Sequence, residues 1–216
     1  MKRILLLSLF IISSLYAQQT NPQSAFGSLN VGIYDIAQNQ FDKTYNSNIG
    51  FLPGITVGLP ILTQTYLYGK ISYFTKNGVP ENNELELQNG NPVVIPEDRG
   101  GTATFREWLF NAGLLYDFIL SNNYTLGING GIVFVSVNEE KNGPAGSYSA
   151  VTKGGGFLGL FGGVILERKF ENSPFSLVGE VQYNLSRSGI ISGLGNDGGL
   201  NINLGLRFYF VSLNNQ

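Results

Sequence analysis

The last strand-like stretch of the chain, GGLNINLGLRFYF at residues 198–210, alternates between two kinds of side chain. Every second residue from Leu200 to Phe210 is apolar, and the residues between them are Asn, Gly, Arg and Tyr. Because successive side chains of a β-strand point to opposite faces, this pattern predicts a strand with one apolar and one polar face. Whatever covers the long apolar face therefore decides the fold, and we propose that lipid covers it.

Similar runs recur along the chain, and together they predict an all-β fold. We predict eight strands, at about residues 27–37, 48–60, 65–76, 104–119, 124–138, 155–170, 175–188 and 198–211. Each is long enough to cross a bilayer as a tilted strand, which needs about 9 to 11 residues. The 29 glycines and the 13 % of charged residues make the chain too glycine-rich for helices and too apolar for disorder.

The connections between these strands alternate in length. Short connections lie at residues 61–64, 120–123 and 171–174, and longer ones at 38–47, 77–103, 139–154 and 189–197. Short turns at one end and long loops at the other are typical of outer-membrane barrels, whose turns face the periplasm and whose loops face outwards. The sequence therefore predicts an eight-stranded antiparallel up-and-down transmembrane β-barrel.

The longest loop, residues 77–103, contains a hairpin signal of its own. Asn89-Gly90 stands between two short arms in the stretch LELQNGNPVVI, and Asn-Gly between alternating apolar residues favours a tight β-turn. The arms are too short to cross a bilayer, so we expect the hairpin to lie above the membrane. Counting the arms as membrane strands would give the alternative, a ten-stranded barrel.

The N-terminus has the features of a secretory signal peptide. Lys2 and Arg3 precede an apolar run from Ile4 to Leu15, and Ala17 provides a small residue for cleavage. The alternative, an uncleaved anchor helix, is disfavoured because a helical span needs about 20 apolar residues. We therefore predict a signal peptide at residues 1–17 and a single barrel domain at residues 18–216.

In most of the predicted strands the apolar face is expected to point to lipid and the polar face into the lumen. Four charged residues, Lys70, Glu107, Glu180 and Arg207, fall on the luminal face. Since an isolated buried ion costs several kcal/mol, we predict that these four form a luminal salt-bridge network. An eight-stranded barrel is just wide enough for side chains to fill it, which favours a filled polar lumen over an open pore.

Aromatic residues on the lipid-facing side are predicted to form two belts at the membrane interfaces. The loop-end belt would contain Phe51, Tyr73, Trp108 and Tyr183, and the turn-end belt Tyr116, Phe118, Tyr124, Phe175, Phe208 and Phe210.

Several kinds of chemistry are excluded by residue types that the chain lacks. The sequence contains no His and no Cys, which removes His-based acid–base catalysis, thiolate nucleophiles, disulfides and the usual zinc ligand sets. Without the signal peptide the chain has 11 basic and 15 acidic residues, a net charge of −4, which does not suggest a nucleic-acid partner. We therefore expect no enzymatic activity, no catalytic residues, no cofactor and no metal.

The final strand also resembles the C-terminal sorting signal of bacterial outer-membrane barrels. Asn203, Gly205, Phe208 and Phe210 match its polar, glycine and aromatic positions. With the signal peptide and the eight strands, the chain resembles the small outer-membrane β-barrel superfamily of the OmpA/OmpX type. The resemblance implies insertion by the barrel-insertion machinery into the outer membrane of a Gram-negative cell envelope. We expect a monomer surrounded by outer-membrane lipid.

The resemblance implies several functions without choosing among them, since one fold serves many functions. We expect a structural or surface-binding role through the long extracellular loops, with an unknown extracellular ligand. The longest loop has five acidic residues that could attract cations or a basic partner: Glu81, Glu84, Glu86, Glu97 and Asp98. The alternative is a narrow, porin-like channel for ions or small solutes. A lipid-modifying enzyme is disfavoured, because barrel enzymes of that kind use a His with a Ser and this chain has no His.

Overall fold

The computed structural model describes residues 24–37, 41–79, 83–88, 91–96, 101–142, 149–186 and 198–210, with the backbone alone described at 83–88, 91–96 and 149–155. The elements are β1 (Phe26–Ile36), α1 (Phe41–Tyr45), β2 (Ile49–Leu62), β3 (Thr65–Gly78), β4 (Asn83–Gln88), β5 (Asn91–Pro96), β6 (Thr102–Ile119), β7 (Tyr124–Asn142), β8 (Ser149–Lys169), β9 (Phe175–Ser186) and β10 (Gly199–Tyr209). The predicted signal peptide and the last six residues lie outside the described residues.

Eight strands close into one antiparallel barrel in the order β1-β10-β9-β8-β7-β6-β3-β2. Each barrel strand pairs with its sequence neighbours once β4 and β5 are set aside. The barrel closes where β1 pairs with β10, from Phe26 opposite Tyr209 to Ile36 opposite Gly199. The predicted eight-stranded up-and-down barrel is therefore confirmed.

The strands β4 and β5 form a separate two-stranded antiparallel sheet and are not part of the barrel wall. Gln88 of β4 pairs with Asn91 of β5, and the predicted turn at Asn89-Gly90 lies outside the described residues. The strand count of eight follows, and the ten-stranded alternative is wrong.

Three tight turns gather at one end of the barrel. They join β2 to β3, β6 to β7 and β8 to β9, at residues 63–64, 120–123 and 170–174. Gln64 and Asn172 have φ values of 62° and 56° in two of these turns, a left-handed conformation that Asn tolerates well. We call this side of the molecule the turn end and the opposite side the loop end.

Four adjacent strands, β3, β6, β7 and β8, extend beyond the rest at the loop end, because β3 pairs with β6 as far as Gly78 opposite Ala103. The strands β6, β7 and β8 have 18, 19 and 21 residues, well above the roughly 9 to 11 residues that cross a bilayer. Pairing of β8 with β9 begins only at Gly159, so the first part of β8 pairs with β7 alone among the described residues. The wall of the barrel therefore continues outwards as a four-stranded extension.

Burial alternates along the strands as the sequence predicts. In β9, Glu180 and Gln182 are buried in the lumen while Val181 and Tyr183 are 48 % and 45 % exposed on the outside. Strand β8, whose two faces are both apolar in sequence, places Phe161 and Ile165 inside and leaves Leu160 exposed outside. The outer surface is thus a broad band of exposed aliphatic and aromatic side chains, which suits a hydrocarbon surrounding.

The one described helix, α1, has five residues. No helix in the described part of the chain is long and apolar enough to cross a membrane.

Candidate functional site: the filled lumen and its mouth

The centre of the lumen is organised by the carboxylate of Glu180 on β9. The Lys70 ammonium on β3 forms an ion pair with it. The Tyr68 hydroxyl donates to Glu180 Oε1 over 2.8 Å, and Asn129 Nδ2 donates to the same oxygen over 2.8 Å. All four side chains are buried. Strands β3, β7 and β9 are therefore tied together across the barrel interior.

This arrangement has a physical reason. A buried ion pair is tolerated only when its remaining lone pairs and protons find partners, because desolvation costs several kcal/mol per ion. Tyr68 and Lys70 are two residues apart and so share the inner face of β3. They reach Glu180 together, and Asn129 supplies a third donor from β7.

A second cluster, near the turn end, is built around Arg207 of β10. Its Nη1 lies 2.7 Å from Oε2 of Glu167 on β8, and the Tyr209 hydroxyl donates to Glu167 Oε1 over 2.6 Å. The guanidinium also lies over the Phe26 ring, 3.8 Å from its centroid. Arg207 and Glu167 are each 1 % exposed. This enclosed ion pair therefore joins β10 to β8 inside the barrel.

The predicted four-residue network needs correction in its composition. Lys70, Glu107, Glu180 and Arg207 are all buried inside the barrel, but their ion pairs fall into two clusters. Arg207 lies opposite Ser176 on β9, four residues from Glu180, a distance of about 13 Å along a strand. That register brings Arg207 to Glu167 instead. Glu107 lies higher in the barrel, where it accepts a hydrogen bond of 3.1 Å from the Tyr34 hydroxyl.

Glu167 is a buried luminal carboxylate that the sequence pattern did not identify. Its strand has Phe161 and Ile165 on one parity and Leu160 and Val164 on the other, so hydrophobic alternation could not choose the inner face. A signal was nevertheless present. Glu167 shares its parity with Phe161 and Ile165, and a charged residue on that parity near the turn end favours placing that face inside.

The predicted sorting-signal residues all belong to the closing strand β10 and its end. Asn203 is buried and faces the lumen, whereas Phe208 and Phe210 are 36 % and 53 % exposed on the outer surface. Gly205 lies against the side-chain oxygen of Asn30 on β1, which leaves no room for a Cβ atom there. These positions fit together in the barrel wall, and their role as a signal stays a prediction.

The mouth at the loop end is closed by α1. Phe41 and Tyr45 are 4 % and 3 % exposed, and both pack edge-on against Phe105 of β6, with ring centroids 5.0 and 5.8 Å apart. The Tyr45 hydroxyl donates to Glu139 Oε1 over 2.7 Å, and Val79 N donates to the Thr44 carbonyl oxygen over 3.0 Å. We call α1 with these contacts the mouth plug.

Sequence reasoning treated this segment, within residues 38–47, as an outward loop. The structure folds it inward because two aromatic side chains four residues apart lie on one side of a helical turn, and the top of the lumen offers them an apolar surface. Burial, with the neighbouring Glu139 carboxylate, raises the pKa of Tyr45 well above its usual value. Tyr45 is therefore a neutral hydrogen-bond donor at ordinary pH.

The outer surface carries aromatic groups at both ends of the apolar band. At the loop end Tyr73 packs on Trp108, with ring centroids 4.6 Å apart. At the turn end Phe175 packs on Phe208, at 5.2 Å. Immediately beyond Trp108 the outward face of β6 becomes polar at Arg106. These positions mark the two edges of the apolar band, where aromatic belts are expected in barrels of this kind.

No group of three or more Asp, Glu, His or Cys side chains within the described ranges could hold a metal ion.

Comparison with solved structures gives three likenesses. The barrel is similar to Neisserial surface protein A (NspA), with a TM-score of 0.58 at 12% sequence identity, covering 86% of this chain and 96% of that chain. It is similar to a major outer membrane protein from Thermus thermophilus, with a TM-score of 0.56, 13% identity and coverage of 86% and 99%. Ail, the attachment invasion locus protein of Yersinia pestis, gives a TM-score of 0.48 at 12% identity, with coverage of 86% and 98%.

The first two likenesses define the class of fold, the small eight-stranded outer-membrane β-barrel. At these identities they show the fold alone. No protein-family model matches the sequence. A comparison with curated protein sequences gives no match either.

Proposed function

We propose that the chain is an integral outer-membrane protein whose closed barrel anchors surface-exposed segments for a structural or binding role. On this proposal the turn end faces the periplasm and the loop end faces the medium. The four-stranded extension of β3 and β6–β8 and the β4–β5 hairpin would then stand outside the membrane. The barrel is the anchor, and no enzymatic activity is proposed.

The observation that supports a non-conducting barrel is the filling of its interior at three levels. The Arg207–Glu167 pair lies near the turn end, the Lys70–Glu180 pair lies at the centre, and the mouth plug covers the loop end. Each level is made of side chains that are almost completely buried. A solute would have to displace a buried ion pair twice to pass, at several kcal/mol for each ion left without its partner.

A narrow channel for ions or small solutes is the second candidate, because buried charged and amide side chains line much of the lumen. Conductance across planar bilayers separates the two proposals. We expect the purified, refolded protein to give no stepwise current at any applied voltage. Regular single-channel steps from folded protein would favour the channel and overturn the filled-barrel proposal.

Location and orientation can be tested with single cysteines, since the natural chain has none. We expect N89C, at a position between β4 and β5 in the chain, to react with a membrane-impermeant maleimide on intact cells. S121C, in the β6–β7 turn, should react only after the outer membrane is permeabilised. The opposite pattern of reactivity would show that the orientation is reversed. If both variants are labelled equally and are found only in the soluble periplasmic fraction, the proposed membrane location is wrong.

A further inference from the structure

An apolar groove with a volume of about 280 Å³ crosses the outer surface near the turn end. The groove is lined by six outward-facing residues of β1, β2, β9 and β10: Gly27, Leu29, Ile55, Phe175, Leu206 and Phe208. The five side chains are all at least 36 % exposed. We call this feature the Gly27 groove.

Gly27 creates the groove by leaving its outward position empty. It lies between Phe208 on β10 and Val57 on β2 in the strand register. A Cβ atom at Gly27 would lie 3.6 Å from Cζ of Phe210, which is an ordinary van der Waals contact. The barrel's own packing therefore does not require glycine here, and its effect is to open a recess between aromatic and aliphatic walls.

The side chain of Arg168 provides a positive charge next to this recess. Arg168 is exposed on the outward face of β8, where it lies opposite Tyr124 on β7 and Leu177 on β9. Phe175, in the groove wall, is two residues from Leu177, so Arg168 and Phe175 are diagonal neighbours about 7 to 8 Å apart. Arg168 takes part in no ion pair among the described residues. A guanidinium at the edge of the lipid band matches a phosphate in charge and geometry.

We propose that a phospholipid from the leaflet at the turn end docks here, with one acyl chain in the Gly27 groove and its phosphate on Arg168. The apolar walls exclude a purely ionic ligand from the groove, and the adjacent cation favours an amphiphile with an anionic head over a neutral one. Phe175 of the groove wall is on β9, the strand next to Arg168 on β8, and paired strands lie about 4.8 Å apart, so one lipid molecule can reach both the groove and the guanidinium. The proposal requires the barrel to lie in a bilayer and does not depend on the lumen being closed.

Native mass spectrometry with dipalmitoyl phosphatidylglycerol tests this proposal. The folded protein in detergent micelles is compared with G27L, which fills the groove, and with R168Q, which removes the cation. G162L is the matched control, because Gly162 also faces outward, on β8, and a Cβ there would lie 4.0 Å from the nearest atom, the Asn129 carbonyl oxygen. Heat-dependent gel migration verifies that every variant is folded.

We expect the wild-type protein and G162L to retain one lipid molecule, and G27L and R168Q each to lose about tenfold in lipid affinity, or about 1.4 kcal/mol. Inorganic phosphate should not displace the lipid, because phosphate lacks the acyl chain. If G27L does not fold, the exposed Arg168 decides the test through R168Q alone.

Equal lipid retention by the wild-type protein, G27L and R168Q would overturn the proposal. Equal loss in G162L would overturn it too, since binding would then follow the outer surface in general. A wild-type dimer that G27L abolishes would assign the groove to a second copy of the chain and would also overturn it. None of these outcomes bears on conductance, so the filled-barrel proposal would be judged separately.

Discussion

The buried Lys70–Glu180 pair should respond differently to the loss of one partner and to the loss of both. K70M leaves the Glu180 carboxylate buried with only the neutral donors Tyr68 and Asn129. We expect it to lower the free energy of unfolding by about 3 to 5 kcal/mol, whereas K70M/E180L should cost much less, because no unpaired charge remains. Reversible urea unfolding in lipid bilayers measures both values.

The outer ion pair between Arg106 and Glu140 gives the matched control for that experiment. Its atoms are 3.6 Å apart and its side chains are 43 % and 38 % exposed. R106M should therefore change the free energy of unfolding by no more than about 1 kcal/mol. A cost for K70M as small as that for R106M would contradict the assignment of Lys70 to the barrel interior.

The hydrogen bond from Tyr209 to Glu167 predicts a second residue-level effect. Y209F removes a donor to a buried carboxylate and should lower the free energy of unfolding by about 1.5 to 3 kcal/mol, the usual range for a hydrogen bond to a charged group. Y124F, on the outer face where Tyr124 is 42 % exposed, serves as control and should have a much smaller effect. If both variants unfold alike, Glu167 does not lie where the structure places it.

At the level of elements, the mouth plug makes a prediction about local protection. Phe41 and Tyr45 fill an apolar recess, and truncating a buried Phe usually costs about 3 to 5 kcal/mol. F41A/Y45A should therefore release α1 and raise hydrogen–deuterium exchange at Val79, whose amide bonds to Thr44. Conductance should remain absent, because both luminal ion pairs lie below the plug.

The matched control for the plug is F51A, which truncates an aromatic side chain that is 61 % exposed on the outside. It should leave exchange at Val79 unchanged. Unchanged exchange in F41A/Y45A as well would show that the helix does not hold the mouth closed.

Some strands could be predicted from the sequence more accurately than others. Strands inside the apolar band were predicted closely because one parity is predominantly apolar, as in β9 and β10. The sequence placed a loop at residues 139–154, but β7 continues to Asn142 and β8 begins at Ser149. These strand ends carry polar residues on both faces, for example Glu139 and Glu140, so the hydrophobic alternation that predicts a strand is lost there.

The luminal site could be predicted only in part, because the alternation of side chains shows which residues face inward but not which of them meet. Parity assigns Lys70, Glu107, Glu180 and Arg207 to the interior without any tertiary information. Which of them meet depends on the register and tilt of strands that are not neighbours, and a sequence does not show these. Glu167 was missed because both parities of its strand are apolar.

At the level of the whole molecule, the apolar outside of the barrel is proposed to contact lipid, while charged and amide groups are enclosed within it. Trp108, the one tryptophan of the chain, faces outward near the loop end of the apolar band and packs on Tyr73. Its fluorescence therefore reports directly on the medium that surrounds the barrel.

The most direct test is quenching of Trp108 in bilayers of brominated phosphatidylcholine. We expect strong quenching by bromine near the headgroups, weaker quenching by bromine near the chain ends, and little quenching by aqueous iodide, because aromatic belts lie at the membrane interface. Efficient quenching by iodide, with none from either brominated lipid, would contradict the account, since the apolar surface would then face water or another protein.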